Sequence, residues 1–287
     1  MPSPRGGGVR MADLAAADFA NRYGPWAVVA GASDGTGEAF AEYLAVRGVN
    51  VVLVARRASA LEAVAARLTG AYGVECRTLV LDLSEPGAAA GMLAATQDLD
   101  VGLYVSNAGV AGVAEGFLDS SLADSMGAVR LNVATLVEAT HGFGRRLRTR
   151  GRGGIVIMAS LVSLGGRPLF AMYAGTKAFD AVFAESLWAE LRDENIDVIG
   201  AIAPGMDTPT ARRNRGSDEA QPWHQSATDV VAKTFDMLGH EALVYFPMPH
   251  EVDRFAAIRE DRRSQLLAAA EWVVQYKKET MGVAKAG

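Results

Sequence analysis

The sequence has 287 residues, 50% hydrophobic and 21% charged, which fits one large α/β domain with an ample core or two small ones. A net charge of -5 argues against nucleic acid as the main partner. The single cysteine, Cys76, excludes an internal disulfide and fits a reducing, cytoplasmic setting, and no uninterrupted apolar run reaches the ~18 residues of a membrane span.

Met1 to Arg10 lacks the apolar stretch of a signal peptide and reads as a disordered leader, with Met11 a second candidate start. This leader and an N-terminal helix are expected to occupy residues 1–22. Trp26 to Ala30 is a short apolar run, followed by Gly31-Ala32-Ser33-Asp34-Gly35-Thr36-Gly37 and a helical pattern from Glu38 to Arg47. Strand, glycine-rich turn and helix in that order open a dinucleotide-binding βαβ unit. Glycine lets backbone approach a ligand closely, and the helix N-terminus offers free N–H groups to a pyrophosphate. The spacing is Gly-x-x-x-Gly-x-Gly, and a purely structural role in ending the strand is the competing reading.

Asn50 to Ala55 reads as a second strand, apolar from Val51 on as in a parallel sheet buried on both faces. Arg56 and Arg57 follow, where an acidic residue would bond the adenosine ribose hydroxyls. An arginine at this point suits a 2′-phosphate, so NADP(H) is favoured over NAD(H). Asp34 inside the glycine turn argues mildly the other way. A helix is expected over Ala58 to Leu68 and a third strand over Cys76 to Leu81, ending in Asp82-Leu83-Ser84. Asp82 is placed to accept a bond from an adenine amino group, with Leu83 beside it; a local cap is its competing role. Val101 to Ser106 is a fourth strand that runs into Asn107-Ala108-Gly109, at the carboxyl end where open α/β sheets bind ligands.

A long helical pattern from Leu122 to Arg148 carries Asn132 and ends in Arg145, Arg146, Arg148, Arg150 and Arg152. Positive charge there complements the helix dipole and reads as structural. Gly154 to Ala159 is a fifth strand, with Ser160 at its carboxyl end and Ser163 a rival hydroxyl. The helical stretch from Phe170 to Arg192 places Tyr173 and Lys177 four apart, on one face. A phenol ordinarily ionises near ~10, and a cation within about 4–6 Å lowers that value. One unit charge at about 4 Å in a partly screened site supplies ~4 kcal/mol, or about 3 units. Such a pair can donate or accept a proton near neutral pH.

Together these motifs resemble the short-chain dehydrogenase/reductase superfamily. The resemblance rests on Gly31, Gly35 and Gly37, on Asn107 to Gly109, on Asn132, Ser160, Tyr173 and Lys177, and on Pro204-Gly205 after a sixth strand. It spans roughly Tyr23 to Thr208, and Tyr23 to Trp26 with the Gly-Ala-Ser-Asp-Gly loop look most like hydroxysteroid dehydrogenases and ketoacyl reductases. It implies an α/β, single-domain Rossmann fold over residues 23–250, with a doubly wound parallel seven-stranded sheet, helices on both faces, and a C-terminal helical extension over 251–287. It implies that Tyr173 is the general acid or base, that Ser160 bonds the same substrate oxygen, and that Lys177 bonds the nicotinamide ribose. Asn132 would hold a water linking Lys177 to solvent. A homodimer or homotetramer built on the long helices is implied as well. The chain departs from the family at Pro209, where relatives place a threonine and where Thr208 stands one residue early, and at Ala30 and Thr36.

The polar stretch about 206–228 falls where relatives carry a substrate lid, with Met206 and Trp223 as candidate pocket residues and His224 read as solvent-exposed. Helices are expected over Ala227 to Leu238 and, singly or as a pair, over Val252 to Lys278, with a last strand over Ala242 to Phe246. The expected activity is interconversion of a carbonyl and a secondary alcohol on a mainly apolar small molecule, without a metal. The alternative is a non-catalytic dinucleotide-binding sensor or scaffold on the same fold.

Overall fold

The computed structural model describes residues 16–112, 114–209, 211–212, 224–247 and 252–281. The expected leader and the greater part of the expected lid, Trp223 included, lie outside the described residues.

Seven strands form one parallel sheet: β1 (Trp26–Ala30), β2 (Asn50–Ala55), β3 (Cys76–Val80), β4 (Val101–Ser106), β5 (Gly153–Ser160), β6 (Ile196–Ala203) and β7 (Leu243–Tyr245). Their spatial order is β3-β2-β1-β4-β5-β6-β7. The order reverses between β1 and β4, which opens a crevice at their carboxyl ends. The central strands are buried on both faces, as their unbroken Val, Ile and Leu runs predict. The edge strand β3 alternates in exposure, and its polar Arg77 and Thr78 fit that place.

Helices cover both faces of the sheet. On one side lie α1 (Ala16–Tyr23), α2 (Gly35–Ala45), α3 (Ala58–Tyr72) and α8 (Ala227–Met237), which share a core containing Phe19, Phe40, Leu61 and Phe235. On the other lie α4 (Ala88–Ala95), α6 (Thr135–Arg150), α7 (Ala171–Leu191) and α9 (Val252–Met281), around Met92, Phe143, Trp188 and Phe255. A further helix, α5 (Leu122–Val129), precedes α6. The expected doubly wound, seven-stranded architecture is the one observed.

Several boundaries differ for physical reasons. Helix α2 begins at Gly35 rather than Glu38, so the last glycines of the turn are already its first helical turn. Helix α3 runs on to Tyr72 and stops at Gly73, whose φ of 69° is the usual glycine helix ending. The single helix expected from Leu122 to Arg148 is interrupted by a π-helical turn, Arg130–Ala134, in which the Thr135 N–H reaches back to the Arg130 carbonyl. The C-terminal pattern is one helix, not two. Among the described residues no helix is long and apolar enough to cross a membrane.

The basic cluster at the end of α6 is structural, through contacts more specific than the helix dipole. Arg146 donates to the Leu93 and Thr96 carbonyls, Arg148 pairs with Glu194, and Arg150 binds Asp100 together with the Arg22 and Gly24 carbonyls. The same corner holds α1 in place: Tyr23, fully buried, donates its hydroxyl to Asp197 Oδ2 at 2.7 Å, and Arg22 pairs with that carboxylate at 2.5 Å. Tyr23→Phe keeps the packing and removes the hydroxyl's hydrogen bonds with Asp197 and Arg22. It is expected to cost about 1.5–3 kcal/mol in urea unfolding.

Candidate active site

The glycine turn is built by close packing that tolerates no side chain. A Cβ at Gly37 would lie 1.9 Å from the Gly31 carbonyl oxygen and 2.7 Å from Asn107 Nδ2. At Gly31, where φ is +82°, a Cβ would meet Ala108 Cα at 2.9 Å. The turn thereby docks on the loop after β4, and Asn107 Nδ2 donates to the Gly31 carbonyl at 3.1 Å. Gly35, with φ +58°, packs against the Thr208 side chain. The Asp34 side chain does not cap α2, so the first-turn N–H groups are not taken by that carboxylate. A tight glycine cradle at an 11-residue helix N-terminus, beside the point where strand order reverses, fits a dinucleotide pyrophosphate.

The candidate adenosine end is marked by charge. Arg57 reaches back to the turn: Nη2 donates to Ser33 Oγ at 3.1 Å and to Asp34 Oδ2 at 2.5 Å. Asp34 is therefore charge-paired, which offsets its expected argument against a 2′-phosphate. Arg56 is largely exposed and lies 3.7 Å from Asp82 Oδ2. Asp82 Oδ1 accepts from the Ser84 N–H at 2.9 Å and from the Ser84 hydroxyl at 2.6 Å. These bonds, Ser84's foremost and Arg56's after, hold its carboxyl below the usual aspartate value. Asp82 thus stabilises its own turn, while α4 begins separately after Gly87. Leu83 is buried, and its carbonyl accepts from the Thr135 hydroxyl at 2.8 Å.

The second cluster gathers around Lys177. This side chain is 5% exposed, and its ammonium donates to the Met158 carbonyl of β5 at 2.7 Å and to Asp180 Oδ2 at 2.9 Å. Gly109 packs directly on it: a Cβ there would stand 3.2 Å from Lys177 Nζ and 3.5 Å from Asn132 Oδ1. Asn132, in the π-helical turn, exchanges two 3.0 Å hydrogen bonds with the Val110 peptide and donates its other amide proton to Thr176 Oγ1 at 3.0 Å. It therefore clamps the loop after β4 onto α7. Tyr173 lies one turn before Lys177 on α7.

Ser160 ends β5, two residues beyond Met158, and its hydroxyl caps the short 3-10 turn Leu161–Leu164 by accepting from the Val162 N–H at 3.5 Å. Ser163 lies within that turn; its hydroxyl oxygen is buried with no hydrogen-bond partner among the described residues. Pro204-Gly205 follow β6, and the Gly205 carbonyl accepts from the Gln225 N–H at 3.0 Å, tying the two ends of the expected lid together. Met206 contacts the glycine turn, with the Thr36 hydroxyl 3.4 Å from its sulfur. His224, expected to be exposed, is half-buried. Asp180 was not singled out from the sequence, although its i+3 spacing from Lys177 places the two side by side on a helix.

The fold thus brings Asn107–Gly109, Asn132 and Lys177 into one cluster at the carboxyl ends of β4 and β5, continuous with the glycine turn. Tyr173, one helical turn before Lys177, and Ser160, two residues beyond Met158, are the hydroxyl groups that chain position brings toward this cluster. Gly37→Ala would force the Gly31 carbonyl and Asn107 apart. It is expected to lower stability by about 1–3 kcal/mol and to weaken NADPH affinity at least ~10-fold, read by thermal unfolding and nicotinamide fluorescence.

Comparison with known proteins agrees with this geometry. The 7beta-hydroxysteroid dehydrogenase of Clostridium sardiniense is 35% identical over 225 residues, covering 77% of this chain and 85% of the relative. Two solved structures superpose with a TM-score of 0.75. One is a 7beta-hydroxysteroid dehydrogenase studied for its stereoselectivity, 27% identical, covering 82% of this chain and 92% of that one. The other is a short-chain dehydrogenase from Sphingobium yanoikuyae in complex with NADPH, 28% identical, covering 84% and 95%. Residues 25–219 match the family model of short chain dehydrogenases, and the chain belongs to that family, as a hydroxysteroid dehydrogenase-like oxidoreductase.

Proposed function

We propose that the protein is an NADP(H)-dependent oxidoreductase that interconverts a carbonyl and a secondary alcohol on a mainly apolar small molecule, with Tyr173 as general acid and base. The observation that carries this reading is the buried Lys177 ammonium, packed on Gly109 and Asn132 and one helical turn from Tyr173. Bound nicotinamide supplies or accepts the hydride. Tyr173 gives its proton to the carbonyl oxygen, or takes it from the alcohol, and Ser160 donates a hydrogen bond to the same oxygen as charge develops there. Lys177 bonds the nicotinamide ribose. Both amide protons of Asn132 are already donated within the protein, so a water linking Lys177 to solvent would meet this side chain only at its carbonyl oxygen, which also accepts from the Val110 N–H.

Cofactor contacts are assigned to Gly31, Ser33, Asp34, Gly35, Thr36 and Gly37 at the pyrophosphate and adenosine, to Asp82 and Leu83 at the adenine, and to Asn107, Ala108, Gly109, Pro204 and Gly205 toward the nicotinamide. Arg56 takes the 2′-phosphate, with Arg57 beside it. Support for an apolar substrate comes from the relatives, which include 7beta-hydroxysteroid dehydrogenases and very-long-chain 3-oxoacyl-CoA reductases. A 7-oxo steroid is therefore the first carbonyl to test. We place the molecule in the cytoplasm, as a homodimer or homotetramer built on the helices that carry Asn132 and Tyr173, which expose Leu122, Met126, Phe179 and Val182. Residues 23–250 form the catalytic unit and 251–287 an extension.

Tyr173→Phe is expected to keep NADPH binding while reduction of the steroid falls by roughly 10²–10⁴-fold; full activity in that variant would remove the assignment. Arg56→Asp is expected to weaken NADPH binding at least ~10-fold while leaving NADH within about 3-fold, with both titrated by nicotinamide fluorescence. Equal effects on the two cofactors would place the 2′-phosphate elsewhere.

A further inference from the structure

Asp180 lies one helical turn beyond Lys177 and is 2% exposed. Its Oδ2 accepts from Lys177 Nζ at 2.9 Å, while Oδ1 is buried with no hydrogen-bond partner among the described residues. A half-satisfied carboxylate in such a place costs free energy unless a cation stays beside it, and an apolar residue of similar size would pack as well. Burial pushes the carboxyl upward from the usual aspartate value, and Lys177 opposes that.

The surroundings of the pair carry no competing charge among the described residues. Strand β5 contributes the Met158 carbonyl, the loop after β4 contributes Gly109, and the π-helical turn contributes Asn132. Tyr173 and Thr176 stand on α7 itself, and Arg130 and Asp124 on the neighbouring helical segments are exposed. Lys177 is the charge that acts on Asp180. The two therefore form an isolated pair with no net charge.

We propose that Asp180 is a positioning residue for the reaction: it fixes the Lys177 ammonium and offsets its charge, so that Tyr173 faces a neutral pair rather than a free cation. This rests on the reading of Tyr173 and Lys177 given above. Without the partner carboxylate a net positive charge would stand beside the proton donor, and such a charge favours an ionised donor. The arrangement thus extends carbonyl reduction toward alkaline pH. It also spares the positively charged oxidised nicotinamide a repulsion that the neutral reduced ring does not feel.

Asp180→Asn keeps an acceptor for Lys177 and deletes the charge. The alkaline limb of kcat/KM for reduction of a 7-oxo steroid by NADPH is expected to move down by about 1 pH unit or more. Without any substrate, affinity for NADP+ relative to NADPH, read from quenching of protein fluorescence, is expected to fall at least ~3-fold. Asp180→Ser is expected to do the same and replaces the first variant should it not fold. A folded variant with a superimposable pH profile and an unchanged cofactor ratio, or with only a lowered Tm, would overturn the role of Asp180 and leave Tyr173 untouched. Full activity of Tyr173→Phe would instead overturn the underlying reading, and this inference with it.

Discussion

A lysine side chain cannot stay charged in a protein interior unless its ammonium is bonded, and Lys177 meets that requirement by tying three parts of the fold together. Its partners are a carbonyl of β5, a carboxylate of α7 and, in packing contact, Gly109 of the loop after β4. Sheet, helix and loop must all be in register for the ammonium to be satisfied. Asn132 adds the fourth part, because its amide spans Val110 and Thr176. Lys177 and Asn132 are thus structural fastenings as well as candidate site residues.

The glycine turn follows another logic, in which space rather than charge is limiting. Gly37 and Gly31 pack backbone on backbone, which brings the N-terminus of α2 against Asn107 and Ala108. That contact joins the Lys177 cluster, through the loop Asn107–Gly109, to the glycine cradle. Charges ring its outer end: Arg57 folds over Asp34, and Arg56 stands near Asp82. A carboxylate inside the turn coexists with a basic candidate adenosine end because the neighbouring guanidinium neutralises it.

Much of this was legible from local pattern. The central strands announced themselves as short, mainly apolar runs, because a parallel sheet covered on both faces has no solvent side to record. Gly31, Gly35, Gly37, Asn107, Asn132, Ser160, Tyr173 and Lys177 were recognisable because their spacing reflects which strand end or helix turn each occupies. Harder to read were features decided by partners distant in sequence. Arg57 and Arg56 are neighbours in the chain, yet Arg57 turns to Asp34, 23 residues away. The arginines ending α6 looked like dipole compensation but bind carbonyls of α4, Arg22 and Gly24. The π-helical turn left no mark in the apolar periodicity, since one extra residue in a helical turn only rotates the pattern.

The order of strands and helices, the glycine spacing and the residue types available for chemistry were readable along the chain, because each is a matter of local pattern. Only the folded chain decided that Asn132 spends its amide on Val110 and Thr176, that Asp34 is neutralised by Arg57, and that Lys177 faces Asp180 with no other charge beside the pair among the described residues. These are matters of burial and of which groups meet across the fold. Burial turns an ordinary i,i+3 spacing into an ion pair that the interior cannot release.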